Sequence, residues 1–556
     1  MLQPATAFAS VDMAQLQLNF DVLREICGFL TDVPDVLSFS LTCSTLRPFA
    51  IERRLRMRAI AIDTEESIRN LHNFLFVDEK RRGPHIHTLT IPVCSISPGP
   101  SEELVDRLLA VFASATRLRT LSLHVPPTDT NGPASLFSDP RILAAVIQMT
   151  NLQELGVVTT VDIAHHLLGS TRSVLKSFRY GEPRHGDEPP SQSIFITIAP
   201  HLTPALEDLE FPFQFFILAY RSRISFPAAR ILTLTSVFET FRLDMLLAVC
   251  PNLDRTLIIE DILFEFDDDH LETLRKENRE VQETRAWKGL IRVAAGPTML
   301  FALGLTCPIH HLTIDFMPEV NPGGPEALPT STSAILHDCT PTHLALANIK
   351  LSLGFPGPIL DGSLLPEKAV SKLTHLIVHV EYVNSKIEYG RPIAAHSEER
   401  AEPSWDAVLD GLLVGLQSLR LTHVHISMGC NVDGQHGPFS AAIYDGLRSF
   451  KFGRLVSTLV RTLPSLTHIF ITSFGSLYNG TASEKEEETW DASRAWRVRR
   501  KGGKAPAGDM AEMDDLEELN AELAEVEIYW EEMNATEISE WITYVELPTA
   551  PTDSEL

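Results

Sequence analysis

Cysteine is scarce in this chain and follows no pattern. Seven residues, at 27, 43, 94, 250, 307, 339 and 430, are spread over 556 positions. An odd, scattered set suits reduced thiols of the cytosol or nucleus and offers no disulfide framework. Positive charge is also short, with 47 Lys and Arg against 73 Asp and Glu, a net −26. With no clustered basic face, that balance argues against a nucleic-acid partner, whose phosphates must be neutralised by cations. Long apolar runs are missing too. The longest, Phe211 to Tyr220 and Thr298 to Cys307, fall well short of the roughly twenty residues of a membrane span. The first residues carry neither a basic segment nor a continuous apolar one, so no secretory signal is expected and the sequons at Asn479 and Asn534 read as chance matches.

Catalytic signatures are absent as well. The chain has no Gly-x4-Gly-Lys-Ser/Thr, no Gly-x-Gly-x-x-Gly after a strand, no His-Glu-x-x-His and no Gly-x-Ser-x-Gly. His337, Cys339 and His343 lie close in sequence, as do Cys430, Asp433 and His436. Neither set has the paired spacing or the four ligands of structural zinc, so no metal and no cofactor are expected. His310, His311, His423 and His425 fall on expected strands, at exposed face positions. These absences favour a binding protein over an enzyme.

What is present begins near residue 18. Val22, Leu23, Ile26 and Leu30 fall a helical turn apart, with Asn19 and Asp21 as candidate caps. Thr31-Asp32-Val33-Pro34 breaks that helix, because proline disfavours helix just before it. A second helix carries Val36, Phe39, Ser40 and Cys43 on one stripe, with Leu37 and Leu41 beside it. A third segment, Pro48 to Arg58, mixes apolar residues with arginines. So small a unit buries too little apolar surface to stand alone, and needs either the next domain or a partner.

This stretch resembles an F-box. Leu18, Asp21, Val22, Leu23, Glu25, Ile26, Leu30, Asp35, Val36, Leu37, Phe39, Leu41 and Cys43 hold the family's pattern places. Asn19 stands where a proline is usual, the loop is one residue longer, and Leu46 replaces a common tryptophan. The resemblance implies docking on a Skp-family adaptor, and through it a cullin, by Leu18, Asn19, Phe20, Val22, Leu23, Ile26, Leu30, Val36, Leu37 and Leu41. The bland alternative is the first helical pair of an ordinary core.

From about residue 83 a second pattern recurs: a leading apolar residue, then alternating apolar positions that read as a short strand. It appears at His85–Ile91, Arg117–Leu123, Asn151–Val157, Leu175–Phe178, Ala205–Phe211, Arg230–Leu234 and Asn252–Ile259. It returns at Ile309–Ile314, Leu344–Leu346, Leu373–Val378, Leu419–Val424 and Leu466–Ile471. Helical stripes lie between copies: Val105, Leu108, Leu109 and Phe112 after Ser101; Leu143, Val146 and Ile147 after Asp139-Pro140; Trp405, Val408, Leu409 and Leu412 after Ser404. Strand and helix alternating at about 22 to 47 residues suggest a leucine-rich-repeat-like solenoid, irregular and without the asparagine that closes the usual turn. Stacked copies share one core and line a concave parallel sheet that suits a protein ligand. An ordinary α/β domain with parallel strands shares the local pattern and is the alternative.

Two insertions, Phe264 to Trp287 and Asn384 to Pro403, read as loops or exposed helix, and Asp267–Asp269 as a solvated helix start. Residues 481–556 hold 21 acids and 7 bases. There Leu516, Leu519, Leu523, Val526, Trp530 and Met533 predict an acidic helix that caps the array, and Arg494 to Lys504 is a basic island, a candidate nuclear signal.

The expected architecture is thus α/β. Residues 1–17 are a disordered start, 18–58 the F-box-like helical unit, 59–480 the solenoid with its parallel concave sheet, and 481–556 the acidic tail. The expected function is substrate recognition for a Skp–cullin–RING-type ubiquitin ligase, in cytoplasm or nucleus, with an unknown protein target and neither nucleic acid nor membrane as partner. The alternative is an interaction scaffold unconnected to ubiquitin.

Overall fold

The structure is a computed structural model. It describes residues 20–42, 44–77, 82–92, 101–124, 139–181, 198–261, 268–316, 327–351, 365, 370–383, 387–388, 391–392, 405–433, 444–479, 486–499 and 515–519. Two compact units divide the chain, residues 1–206 and 207–556.

The first unit begins with helices α1 (Phe20–Phe29), α2 (Val33–Thr42) and α3 (Arg47–Met57). Pro34 does not end a helix here. It sits in the first turn of α2, where a missing N–H costs no intrahelical bond. Then follow β1 (Ile60–Ala61), α4 (Glu65–Phe76), β2 (Thr88–Ile91), α5 (Glu102–Ser114), β3 (Thr120–His124), α6 (Pro140–Gln148), β4 (Glu154–Val158), α7 (Val161–Ser170) and β5 (Ser177–Gly181). Thr64 and Ser67 cap α4 reciprocally, Ser101 caps α5 by accepting from the Leu104 amide, and Asp139 caps α6 ahead of Pro140. The strands β1 to β5 are parallel and neighbour each other in chain order. Leu89, Leu121, Leu155 and Phe178 pair side by side and are all buried. Each such side chain contributes about 1.5–3 kcal/mol by leaving water.

The second unit repeats the alternation: β6 (Asp208–Pro212), α8 (Phe213–Arg221), β7 (Ile231–Val237), α9 (Leu243–Val249), β8 (Thr256–Asp261), α10 (Asp268–Thr284), β9 (Leu290–Ala295), α11 (Pro297–Leu303), β10 (Ile309–Asp315), α12 (Ala327–Cys339), β11 (His343–Leu351) and β12 (His375–Val383). After the two-residue strands β13 (Ile387–Glu388) and β14 (Arg391–Pro392) come α13 (Trp405–Leu416), β15 (His423–Asp433), α14 (Phe452–Thr462), β16 (His468–Asn479), β17 (Glu486–Arg499) and β18 (Asp515–Leu519). From β6 to β16 the main sheet is parallel and in chain order, and a buried apolar row runs through it from Leu209 by way of Leu257, Leu312 and Leu376 to Ile469. The fold is mixed α/β with a mostly parallel sheet, and the described strands of neither unit close into a barrel.

One expectation about the tail is corrected. The acidic tail does not begin as a helix: β17 pairs antiparallel with β16, and β18 with β17. Leu516 and Leu519 therefore lie on a strand, while Leu523, Val526, Trp530 and Met533 lie outside the described residues. The physical reason is the open edge of β16, whose unpaired backbone groups β17 satisfies. Within the basic stretch Arg494 to Lys504, Arg494 pairs with Glu518 and Arg499 with Glu517 across the β17–β18 pair, and residues 500–504 lie outside the described residues.

The described residues of the insertion at 264–287 are mostly helical, the second of the two expected readings, and the helix buries one face. This helix is α10, whose buried polar side chains cap its neighbours. Asn278 accepts from the Leu243 amide at the start of α9 (2.7 Å) and donates to the Ala302 carbonyl near the end of α11 (2.9 Å). Gln282 donates to the Gly304 carbonyl, and Arg275 to that of Phe301. Helix ends leave such backbone groups unpaired, and here another helix supplies the partners. The second insertion, 384–403, contributes only β13 and β14 to the described residues.

Gly304 ends α11 in the left-handed region, with φ 52°. A Cβ there would sit 3.2 Å from Arg275 Cγ and 3.3 Å from Arg279 Cγ. Gly304→Ala should lower stability by about 1–2 kcal/mol through backbone strain and crowding. A urea midpoint unchanged from the parent would contradict this.

Candidate docking surfaces

The helical trio has a very small interior. Cys27, Val36 and Ala50 form its core, with Leu30, Phe39 and Met57 packed against it. Arg53 of α3 reaches the Leu30 carbonyl with two guanidinium nitrogens, at 3.2 and 2.9 Å, and ties off the end of α1. So few inward positions leave the other apolar side chains outside. Phe20, Val22, Ile26 and Phe29 of α1 are exposed, as are Leu37 and Leu41 of α2; Phe29 is 80% and Leu41 85% exposed. Val22, Ile26 and Phe29 follow helical spacing and share one stripe.

Of the residues expected to dock, Phe20, Val22, Ile26, Leu37 and Leu41 therefore face solvent, while Leu23 and Leu30 are half-buried. Val36 turns inward as core and presents no docking face. Leu18 and Asn19 lie outside the described residues. Sequence reasoning passed over Phe29, although its place three residues after Ile26 was the available signal.

The second surface lies on the strands of residues 207–556. Alternation sends Leu344, Leu376, Val424 and Ile469 into the core and leaves His343, His375, His423 and His468 half-exposed on the opposite face. Those four histidines pair in register across β11, β12, β15 and β16. Their rings stack at 3.9, 4.2 and 4.6 Å between centroids, tilted by 15°, 6° and 6°. Stacking follows from strand spacing of about 4.8 Å once identical residues align.

A threonine precedes each histidine. The hydroxyls of Thr342, Thr374, Thr422 and Thr467 donate to the carbonyl of the preceding strand, at His310, Thr342, Thr374 and Thr422 respectively, over 2.8–3.2 Å. Each hydroxyl also meets the Nδ1 of its own neighbour histidine at 2.8–3.1 Å. Its one proton being committed to the carbonyl, the hydroxyl must accept, so Nδ1 carries the hydrogen and Nε2 the lone pair. The Thr-His dipeptides opening four strands were the missed signal in the sequence.

His311 pairs with His343 and extends the row onto β10, with His310 beside it. Desolvation, then His310 and Arg292, push His311 down to about 4; desolvation, then His375 and His311, push His343 down to about 3. Both are bases depressed below 6.5, so the unfolded chain binds their protons first. Their stabilising effect is complete above about pH 6.5 and is lost as pH falls towards 4 and 3. Urea midpoints between pH 7 and 4 should fall, and less steeply in His343→Asn. A parallel fall in both would sink this account.

Of the two groupings noted in the sequence, His337, Cys339 and His343 do not come together as a ligand set. The His337 side chain is 76% exposed, whereas Cys339 is buried and its thiol points to the Leu305 carbonyl. Cys430 is buried, and His436 lies outside the described residues. The described cysteines, 27, 250, 307, 339 and 430, are free and buried. No described helix is long and apolar enough to cross a membrane. No family model matches the chain, and no curated protein matches it.

Proposed function

We propose that the chain is a substrate-recognition adaptor of a Skp–cullin–RING-type ubiquitin ligase, its first three helices acting as an F-box and its strand–helix array as a leucine-rich-repeat-like arm that binds a target protein. The observation that carries this reading is the set of apolar side chains on α1 and α2, Phe20, Val22, Ile26, Phe29, Leu37 and Leu41, left in water around a three-residue core. Large apolar side chains left exposed along a helix stripe favour an interaction site. The half-exposed strand face offers a second, broad surface of mixed polarity, suited to a folded partner. Catalysis would belong to other subunits, and this chain would contribute proximity between target and conjugating enzyme.

The test is co-expression of the chain with a Skp-family adaptor. A stable complex on size exclusion is expected. A folded chain that stays apart from the adaptor would instead favour a scaffold unconnected to ubiquitin.

A further inference from the structure

At the β10 end of the histidine row the stacking geometry changes. The rings of His310, His311 and His343 lie 4.2–4.8 Å apart and are tilted by 27° to 49°. One ring nitrogen from each comes within 4.8 Å of the other two. We propose that His310, His311 and His343 form a binding site for a divalent transition-metal ion of the zinc class, with one coordination position open to an exogenous ligand.

Tilt is what separates these three from the rest of the row. Where rings are 6° from parallel, as between His375, His423 and His468, neighbouring lone pairs point the same way and never meet. Tilted rings can aim theirs at one point. Tetrahedral zinc with bonds of about 2.0–2.1 Å asks for nitrogens about 3.3 Å apart, so the rings need to close by roughly an ångström and a half. His310 is exposed and opens the site to solvent. Thr342 holds the His343 ring by Nδ1 and leaves Nε2 as donor, the outer-shell arrangement that orients a ligating imidazole. An all-imidazole set suits zinc, copper or nickel and excludes calcium and magnesium, which require oxygen ligands.

Arg292 stands beside His311 on β9, and its Nη1 is buried without a hydrogen-bond partner. Its charge opposes a bare dication. It therefore favours an ion whose open position carries an anion, such as hydroxide or a carboxylate.

The full chain would be titrated with zinc chloride by calorimetry and with cobalt chloride by visible absorption. One ion per chain and an intense tetrahedral cobalt spectrum are expected. His310→Ala/His311→Ala should abolish both, Thr342→Val should weaken binding about 10–100-fold, and His468→Ala, at the far end of the row, should change neither. Thermal unfolding without metal checks that each variant is folded. The proposal is overturned by a folded parent that binds no zinc, by undiminished binding in His310→Ala/His311→Ala, or by equal loss in His468→Ala.

Discussion

Aspartate at both Ile26 and Leu41 should abolish co-purification with a Skp-family adaptor while leaving the chain folded. Both side chains are exposed, 45% and 85%, so neither change opens a cavity, and stability should shift by no more than about 1 kcal/mol. At an interface the same changes remove two apolar contacts of about 1.5–3 kcal/mol each and bury charge, a loss of over a hundredfold in affinity. Val36→Asp is the instructive contrast. It places a carboxylate in the three-residue core and should unfold the trio, so lost binding in that variant says nothing about the surface. Adaptor binding that survives the double aspartate variant would remove the docking role from these helices.

The largest stability effect is expected at Asp338. Its side chain is 3% exposed and pairs with Arg275, 7% exposed, and with Arg279, 46% exposed. Burial pulls the Arg275 guanidinium below its usual range, and the Asp338 charge opposes that shift. Asp338→Ala leaves a buried cation without its counter-charge, which costs about 3–5 kcal/mol. Arg279→Ala removes only the solvated partner and should cost under about 1 kcal/mol. Urea unfolding of the two variants would decide the matter, and equal losses would show that the buried position of Arg275 is immaterial. Such loss should spread through α10, α11 and α12, because Arg275 also holds the Phe301 carbonyl and donates to that of Ala334.

What was legible in the sequence was local. Twelve alternating segments became strands because a period of two places their leucines in the core whatever lies beside them. Ser101 and Asp139-Pro140 became helix starts because a cap acts within its own turn. The apolar trio at the N-terminal end was visible as a unit too small to bury itself. Less local features escaped. The tail's leucines at three-four spacing suggested a helix, yet an open strand edge draws 486–499 and 515–519 into the sheet. Val36 and Leu37 are neighbours of similar apolarity, and only packing against Cys27 and Ala50 decides which turns inward.

By itself, then, the sequence determined which stretches alternate, where helices begin, and that an apolar surplus sits near residue 20. Tertiary structure alone decided partnership. The Thr-His pairs at 342, 374, 422 and 467 are unevenly spaced along the chain, and only strand register brings their rings face to face. Local backbone preference acts within a turn or a strand, whereas register is set by pairing between segments tens of residues apart.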